Sequence, residues 1–346
     1  LTQAFVHDTP PQRVVFAAGA IERIADEAAR LNFTRALVVA TPGSGASLGA
    51  QIVALLGARA AGLHAQAVIH VPKAIAQAGV TAARQAKADG LVAIGGGSAI
   101  GLAKAIALQT GLPIIAAPST YSGSEATPIF GTTEGERKIT GRDNKVLPRT
   151  ILYDPDLTMT LSTPVSAASG MNAIAHCVEG LWIAERNPVT VALATEAMRL
   201  FGEFLPRVVA DGSDRDARAQ CLIGAWLAGT VLTAGTGLHH KLAHVLGGLG
   251  LPHAETHAII LPHVARFNLA AAPHARQHLS TALGKDDPAD ALGKLLRGFP
   301  IPQRLRDIGF EQAKMDLVAE QVDKLAISVP RRVSIEDVRA LLSAAY

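Results

Sequence analysis

Cysteine is nearly absent: Cys177 and Cys221 are the only two in 346 residues. That excludes a disulfide framework and a cysteine-based zinc site, and it leads us to expect a reducing, cytoplasmic location. Aromatic residues make up only 4%, so the 49% of hydrophobic residues are mostly Ala, Val, Leu and Ile. Such side chains suit buried parallel strands and closely packed helices. No stretch reaches the ~18 apolar residues of a membrane span, so no membrane contact is expected. The opening residues, LTQAFVHDTPPQRVVF, lack the basic and apolar regions of a secretory signal. A dominant charge sign is missing as well, with 32 basic against 29 acidic residues and a net charge of +3. The pI is near 9.0, yet no basic run is present and no basic stretch is interleaved with aromatics. Nucleic acid is therefore not an expected partner, and the small excess suits an anionic small molecule or a phosphate-bearing cofactor.

What is present divides in two. The chain exceeds the size at which a single core usually stops growing, so two domains are expected. Up to about residue 155, β-branched runs at 13–16, 36–40, 67–70, 90–94 and 113–117 alternate with helical spacing at 20–31, 48–58, 74–88 and 101–109. This pitch predicts parallel β-α-β units and an open α/β sheet. From 156 to 346 strand-like runs become scarce, and helical stretches are expected at 167–184, 188–210, 214–233, 240–247, 273–283 and 333–345. The expected domains are an α/β nucleotide-binding domain, 1–155, and an all-α substrate and catalytic domain, 156–346. The boundary falls at the Tyr153–Asp156 turn.

The segment LVAIGGGSAIGLAK, 91–104, reads as a strand, a glycine cluster and a helix. Glycines let a backbone approach a ligand closely, and a helix N-terminus offers free N–H groups and a positive dipole end to phosphate. Neither the GxGxxG fingerprint nor a GK[ST] phosphate loop is present, so the cluster indicates phosphate and nothing narrower. A hydroxyl-rich loop, PSTYSGSEAT, 118–127, follows the next strand, where ligands of open α/β sheets bind. The expected cofactor contacts are Gly95, Gly96, Gly97, Ser98, Lys104, Ser119, Thr120 and Ser122, with Thr41 after the second strand.

Histidine is the other concentration: eight of the twelve fall between His239 and His278. His240 and His244 are four apart, as are Asn172 and His176, so each pair shares a helix face. His253 follows a glycine-rich break. His257, His263, His274 and His278 read as packed or surface residues.

Four segments, 95–104, 118–127, 170–179 and 240–253, resemble in that order motifs of the iron-containing (group III) alcohol dehydrogenase family, over nearly the whole chain. The resemblance implies a dehydroquinate synthase-like architecture, an α/β nucleotide-binding domain before a helical metal-binding domain, with the site in the cleft between them. In that family an Asp and a His four apart bind iron or zinc together with two later histidines. The corresponding positions here are Asn172, His176, His240 and His253, with His244 beside the reaction centre. Two departures stand out. Asn172 replaces the Asp, and a neutral amide is a poor ligand for a divalent cation; Gly101 replaces the Asp usual in the glycine motif.

Together with the wording of 170–179 and 239–244, these departures are similar to the maleylacetate reductase branch of the family. That likeness implies NADH- or NADPH-dependent reduction of the C=C bond of maleylacetate to 3-oxoadipate, in aromatic compound degradation, with no metal. Without a Lewis acid, His176, His240 and His244 would stabilise the enolate oxygen, one of them also serving as general acid. Lys241 is adjacent in sequence, though a helix turns it about 100° away from His240. The dicarboxylate substrate would be met by Asn172, His253, Lys241 or by Lys138, Arg142 and Lys145. VATPGS, 39–44, holds no carboxylate to repel a 2′-phosphate, so either dinucleotide is expected. A metal-dependent alcohol or polyol dehydrogenase and a non-catalytic nucleotide-binding sensor are the alternatives, and a homodimer is the base-rate state.

Overall fold

The computed structural model of the chain describes Phe5, His7, residues 11–135 and residues 137–346; the side chains of Arg137 and Lys138 lie outside the described residues, so the substrate role expected of Lys138 does too. It falls into two compact units, divided between Leu161 and Ser162, and Phe5 and His7 group with the second, helical unit rather than with the expected first domain. The expected boundary stood at 155/156. A short 3-10 turn, Pro155–Thr158, which Asp154 caps by accepting from Asp156 N, carries the chain past it.

The first unit carries β1 (Arg13–Phe16), α1 (Ile24–Arg30), β2 (Ala36–Val39), α2 (Ser44–Leu56), β3 (Ala60–His64), α3 (Lys73–Gln85), β4 (Gly90–Gly95), α4 (Gly97–Thr110), β5 (Ile114–Pro118), β6 (Ile129–Glu134), β7 (Arg137–Arg142) and β8 (Thr150–Tyr153). Among the described residues, six strands form one parallel sheet in the order β1-β8-β5-β4-β2-β3, and β6 pairs with β7 as an antiparallel hairpin. Alternation along each strand feeds two cores. Leu37, Val39, Leu91 and Ala93 pack with Val80, Ile100 and Leu102 from α3 and α4 on one face. Val38, Val92, Ile94 and Ile115 pack with Ile24 of α1, Phe33 after it, and Ile52 of α2 on the other. A sheet covered on both faces needs apolar residues at consecutive positions, and LVAI and ALVV supply them.

Two strand expectations are corrected. The third strand is Ala60–His64, not 67–70. It is the sheet edge, includes Gly62 at φ 135 and shifts register against β2, so it needs few β-branched residues. Val68 and Ile69 precede a turn in which His70 and Val71 take positive φ, and they are 37% and 67% exposed. β8, unforeseen, is fully buried between β1 and β5. Arg142 and Lys145 are exposed, at the end of β7 and in the turn after it.

The second unit contains α5 (Thr163–Gly180), α6 (Pro188–Ala210), α7 (Arg215–Leu232), α8 (Leu238–Gly248), α9 (His253–Leu269), α10 (Pro273–Leu283), α11 (Pro288–Arg297), α12 (Met315–Asp323) and α13 (Ile335–Ala345). Proline at the first helical turn starts α5, α6, α10 and α11, where its missing N–H has no partner to lose. α9, α11 and α12 went unrecognised in the sequence, α9 because Pro262 sits inside it. α5 packs on α6, α7 and α9, and α8 packs on α9. Among the described residues, no helix is long and apolar enough to cross a membrane.

Candidate active site

In the α/β unit the chain moves outward from β2 to β3, then crosses back so that β4, β5 and β8 extend the other way. The carboxyl ends of β2 and β4 therefore flank the topological switch point, where ligands of open α/β sheets bind. Thr41 lies just beyond β2, and the glycine turn just beyond β4. Gly95 has φ 132, which a side chain would strain. Gly96 leaves no room either: a Cβ there would come within 2.8 Å of Thr120 Cγ2. Gly97 opens α4 and faces open space apart from Ser122 Oγ at 3.8 Å from its virtual Cβ. Among the described residues, no side chain caps the start of α4, so its first N–H groups can serve an anion. Ser119 N donates to Gly95 O at 3.0 Å, which ties the hydroxyl loop to the glycine turn. Gly95, Gly96, Gly97, Ser98, Ser119, Thr120 and Ser122 thus form one cradle.

Lys104 does not join it. The side chain is 1% exposed, and Nζ donates to the carbonyls of Ser124 (2.6 Å), Thr127 (2.8 Å) and Ile129 (2.8 Å). An ammonium has three protons, and these acceptors consume them. The expected cofactor contact is therefore corrected to a structural role in the neighbouring loop.

In the helical unit, α5 presents Asn172, His176 and Glu179, spaced four and three residues apart on one face. α8 presents His239, His240 and His244; α9 presents His253 and His257 at its first and fifth positions. His176 and His240 stack with centroids 4.7 Å apart, and His176 Nδ1 meets His240 Nε2 at 2.7 Å. His257 lies 4.4 Å from His253, 4.8 Å from His240 and 4.9 Å from His239, centroid to centroid. His244 sits at the edge, 6.3 Å from each of His240, His253 and His257. The structure thus brings together His176, His240, His244 and His253. Lys241 stays outside: it is half-buried, and its side chain makes no hydrogen bond among the described residues.

Three residues of this cluster went unrecognised. Glu179 is buried and organises the start of α8. One oxygen accepts from Gly237 N (2.8 Å) and His240 Nδ1 (2.6 Å), the other from His239 N (2.7 Å). Burial pushes this carboxyl up from its ordinary value, against the pull of those N–H donors. The carboxylate behind His240 fixes the ring with Nδ1–H toward Glu179, leaving Nε2 as the lone-pair nitrogen. His239 is neutral, held near a pKa of about 4 by burial and by the neighbouring imidazole; its Nε2 donates to His257 O at 2.9 Å. His257 is driven well below its ordinary pKa by burial and by the surrounding histidines. Neither of its ring nitrogens has a hydrogen-bond partner among the described residues, and the same holds for Asn172 Oδ1. The signal for His257 was its spacing in HAETH, four residues after His253, hidden because no helix was expected over 253–257.

Nitrogens of His239, His240 and His257 come within 4.8 Å of one another, close enough to hold a metal ion. His239 spends Nε2 on a carbonyl, so it fits that role worse than His240 and His257. The positions matching the family's ligands, Asn172, His176, His240 and His253, adjoin them. Imidazole nitrogens suit iron or zinc, and Asn172 Oδ1 adds a weaker oxygen donor.

Comparison with known proteins agrees with this donor set. The iron-containing alcohol dehydrogenase family matches residues 11–155, and the C-terminal part of the Fe-containing alcohol dehydrogenase family matches residues 166–346. The maleylacetate reductase of Sphingobium indicum is 45% identical over 99% of this chain and 97% of its own. The crystal structure of maleylacetate reductase from Agrobacterium tumefaciens is 41% identical, with a TM-score of 0.95 over 100% of this chain and 99% of that one. An iron-containing alcohol dehydrogenase from Corynebacterium glutamicum is 40% identical, with a TM-score of 0.94 over 100% of this chain and 97% of that one. These matches overturn the expectation that no metal is needed, which came from the likeness to the maleylacetate reductase branch and had Asn172 as its chemical support. The physical reason is that one lost carboxylate leaves a dense nitrogen donor set in place, and His257 adds to it.

Proposed function

The chain belongs to the iron-containing alcohol dehydrogenase family, and from that premise we propose that it is a maleylacetate reductase, reducing the C=C bond of maleylacetate to give 3-oxoadipate in aromatic compound degradation. The observation that carries this reading is the near-full-length likeness to maleylacetate reductases, 45% identity over 99% of the chain in one of them. Gly95–Ser98 would hold the pyrophosphate of a nicotinamide dinucleotide, which when bound would supply the hydride. NADH and NADPH both suit the region after β2, where Thr41 and Ser44 stand and no carboxylate repels a 2′-phosphate. Asn172, His176, His240 and His253, with His257 in support, would hold iron or zinc, which as a Lewis acid polarises a carbonyl oxygen.

The chain's own residues supply the rest. Adding hydride to the alkene carbon distal to the ketone moves an electron pair onto the carbonyl oxygen, and the alkene carbon bonded to the ketone must then take a proton as the carbonyl re-forms. His244 is the proposed donor: it is half-buried at the rim of the cluster, so it can exchange its proton with water between turnovers. Glu179 fixes the ring of His240, and Lys241 is the nearest cation in sequence for a substrate carboxylate. Burial lowers the pKa of both His239 and His257, so neither adds positive charge to the buried part of the cluster. Cytoplasmic placement is supported by the two buried free thiols, Cys177 and Cys221, and a homodimer by the habit of soluble enzymes.

The test follows loss of reduced nicotinamide absorbance with maleylacetate, using NADH and NADPH separately. Substrate-dependent oxidation with product 3-oxoadipate is expected. Turnover of simple alcohols or ketones with no response to maleylacetate overturns the assignment.

A further inference from the structure

We propose that Lys104 and Glu125 form a buried clamp that sets the position of the hydroxyl loop, Ser119–Ser122, against the glycine turn, so that the affinity for dinucleotide depends on a lysine that never touches it. The proposal rests on the cofactor reading above and deepens it.

Lys104 lies on α4, seven residues or about two turns beyond Gly97. Its ammonium gathers three backbone carbonyls from one short stretch, Ser124, Thr127 and Ile129, and also lies 3.0 Å from Thr127 Oγ1. Carbonyls in a buried loop need donors, and one cation here supplies three. Glu125, fully buried in the same stretch, is the acidic group that acts on the ammonium. One of its oxygens accepts from Tyr153 Oη at 2.7 Å, and the other has no hydrogen-bond partner among the described residues. Gln12 Nε2 donates to the Glu125 carbonyl at 3.0 Å. The loop is therefore pinned at both ends, to Gly95 O through Ser119 N and to α4 through Lys104. Between these anchors stand Thr120, in van der Waals reach of Gly96, and Ser122, near Gly97.

The clamp has a charge state. Burial pushes the Lys104 ammonium down to about 7, with Glu125 pulling it up, while burial raises Glu125. The titratable groups facing Lys104 are Glu125 from the loop and, behind it, Tyr153 from β8, whose phenol is raised well above its ordinary value by burial and stays neutral. β6 offers the Ile129 carbonyl. Below the pKa of Lys104 three protons serve three carbonyls. Above it a neutral amine has two, and the attraction to Glu125 is gone. Dinucleotide binding is expected to weaken as pH rises through that value.

The experiment titrates full-length protein with NADH, and separately NADPH, by nicotinamide fluorescence across pH, which requires no substrate. Lys104→Met is expected to raise Kd by about tenfold or more at low pH and to abolish the inflection. Lys104→Arg, permanently charged, restores tight binding and keeps it as pH rises. Glu125→Gln keeps the Tyr153 hydrogen bond and shifts the inflection to lower pH, a movement that a merely structural role would not produce; it carries the test if Lys104→Met fails to fold. Wild-type affinity in Lys104→Met, or an unmoved inflection in Glu125→Gln, overturns the clamp and leaves the reductase reading intact. A wild type that binds neither dinucleotide overturns both.

Discussion

Replacing Glu179 by Gln probes how one carboxylate organises the histidine site. The carboxylate accepts from Gly237 N, His239 N and His240 Nδ1 at 2.8, 2.7 and 2.6 Å, all in a buried environment. Gln has the same shape but only one oxygen. With its NH2 toward His239, that backbone N–H loses its acceptor and faces a donor. With its NH2 toward His240, the imidazole must offer a lone pair at Nδ1 and carry its proton on Nε2, which then confronts His176 Nδ1 across 2.7 Å. Either arrangement forfeits a buried hydrogen bond to a charged acceptor, about 1.5–3 kcal/mol, a sizeable part of the roughly 5–15 kcal/mol that holds a domain folded. Removing the carboxylate behind a metal-ligating histidine costs about 10–100-fold in metal affinity or activity. Denaturant unfolding, titration with ferrous iron and zinc, and kcat/KM for maleylacetate would all be measured. A Glu179→Gln protein matching the wild type within about twofold in metal affinity and turnover refutes this reasoning.

Three further outcomes are expected. His244→Asn lowers kcat by roughly 10²–10⁴ with dinucleotide affinity unchanged, and a loss below about tenfold removes His244 as proton donor. Gly96→Ala, at φ −86, meets no backbone strain but puts a Cβ 2.8 Å from Thr120 Cγ2, so the KM for dinucleotide rises at least about threefold while the melting temperature barely moves; an unchanged KM would show that Thr120 yields freely. Burial pushes the Glu27 carboxyl up, but hydrogen bonds from Arg30 and Arg13 outweigh it and hold the group below its ordinary 4.5. A depressed carboxylate stabilises the fold above that value and stops doing so as pH falls through its folded pKa. The unfolding free-energy gap between wild type and Glu27→Gln is therefore expected to be full at neutral pH and to shrink in acid; a pH-independent gap counts against the Arg13–Glu27–Arg30 network.

Much of this was legible in the sequence because the physics was local. LVAIGGGSA announces a buried strand, a turn and a helix, and α4 follows, though it begins at Gly97, inside the glycine cluster, rather than at the expected 101. Pro188–Ala210 and Pro273–Leu283 begin where proline is tolerated and end where the expectation placed them. Long-range requirements were not legible. β3 is a strand because β2 offers it an edge, not because AAGLH favours extension. Lys104 reads as a phosphate ligand until the loop carbonyls around Nζ are seen. Glu179 takes its meaning from the start of α8, 58 residues away in sequence, and His257 from packing against both α8 and the start of its own helix. The metal-free expectation failed for a related reason: its chemical support, the substitution at Asn172, says nothing of the nitrogen donors that only packing assembles around it.

The unpartnered polar atoms of Asn172 and His257 also bear on how the protein responds to selection. Buried groups without hydrogen bonds lower stability, so exchanging His257 for Phe or Asn172 for Leu is expected to yield a more heat-resistant chain with an inactive site. Laboratory evolution that screens for thermal tolerance alone would therefore erode the catalyst, whereas alternating heat challenge with turnover would retain it. By the same logic, whatever fills the site should raise the melting temperature by more than its solution affinity for free imidazole suggests, which makes thermal shift a sensitive way to search for ligands of this chain.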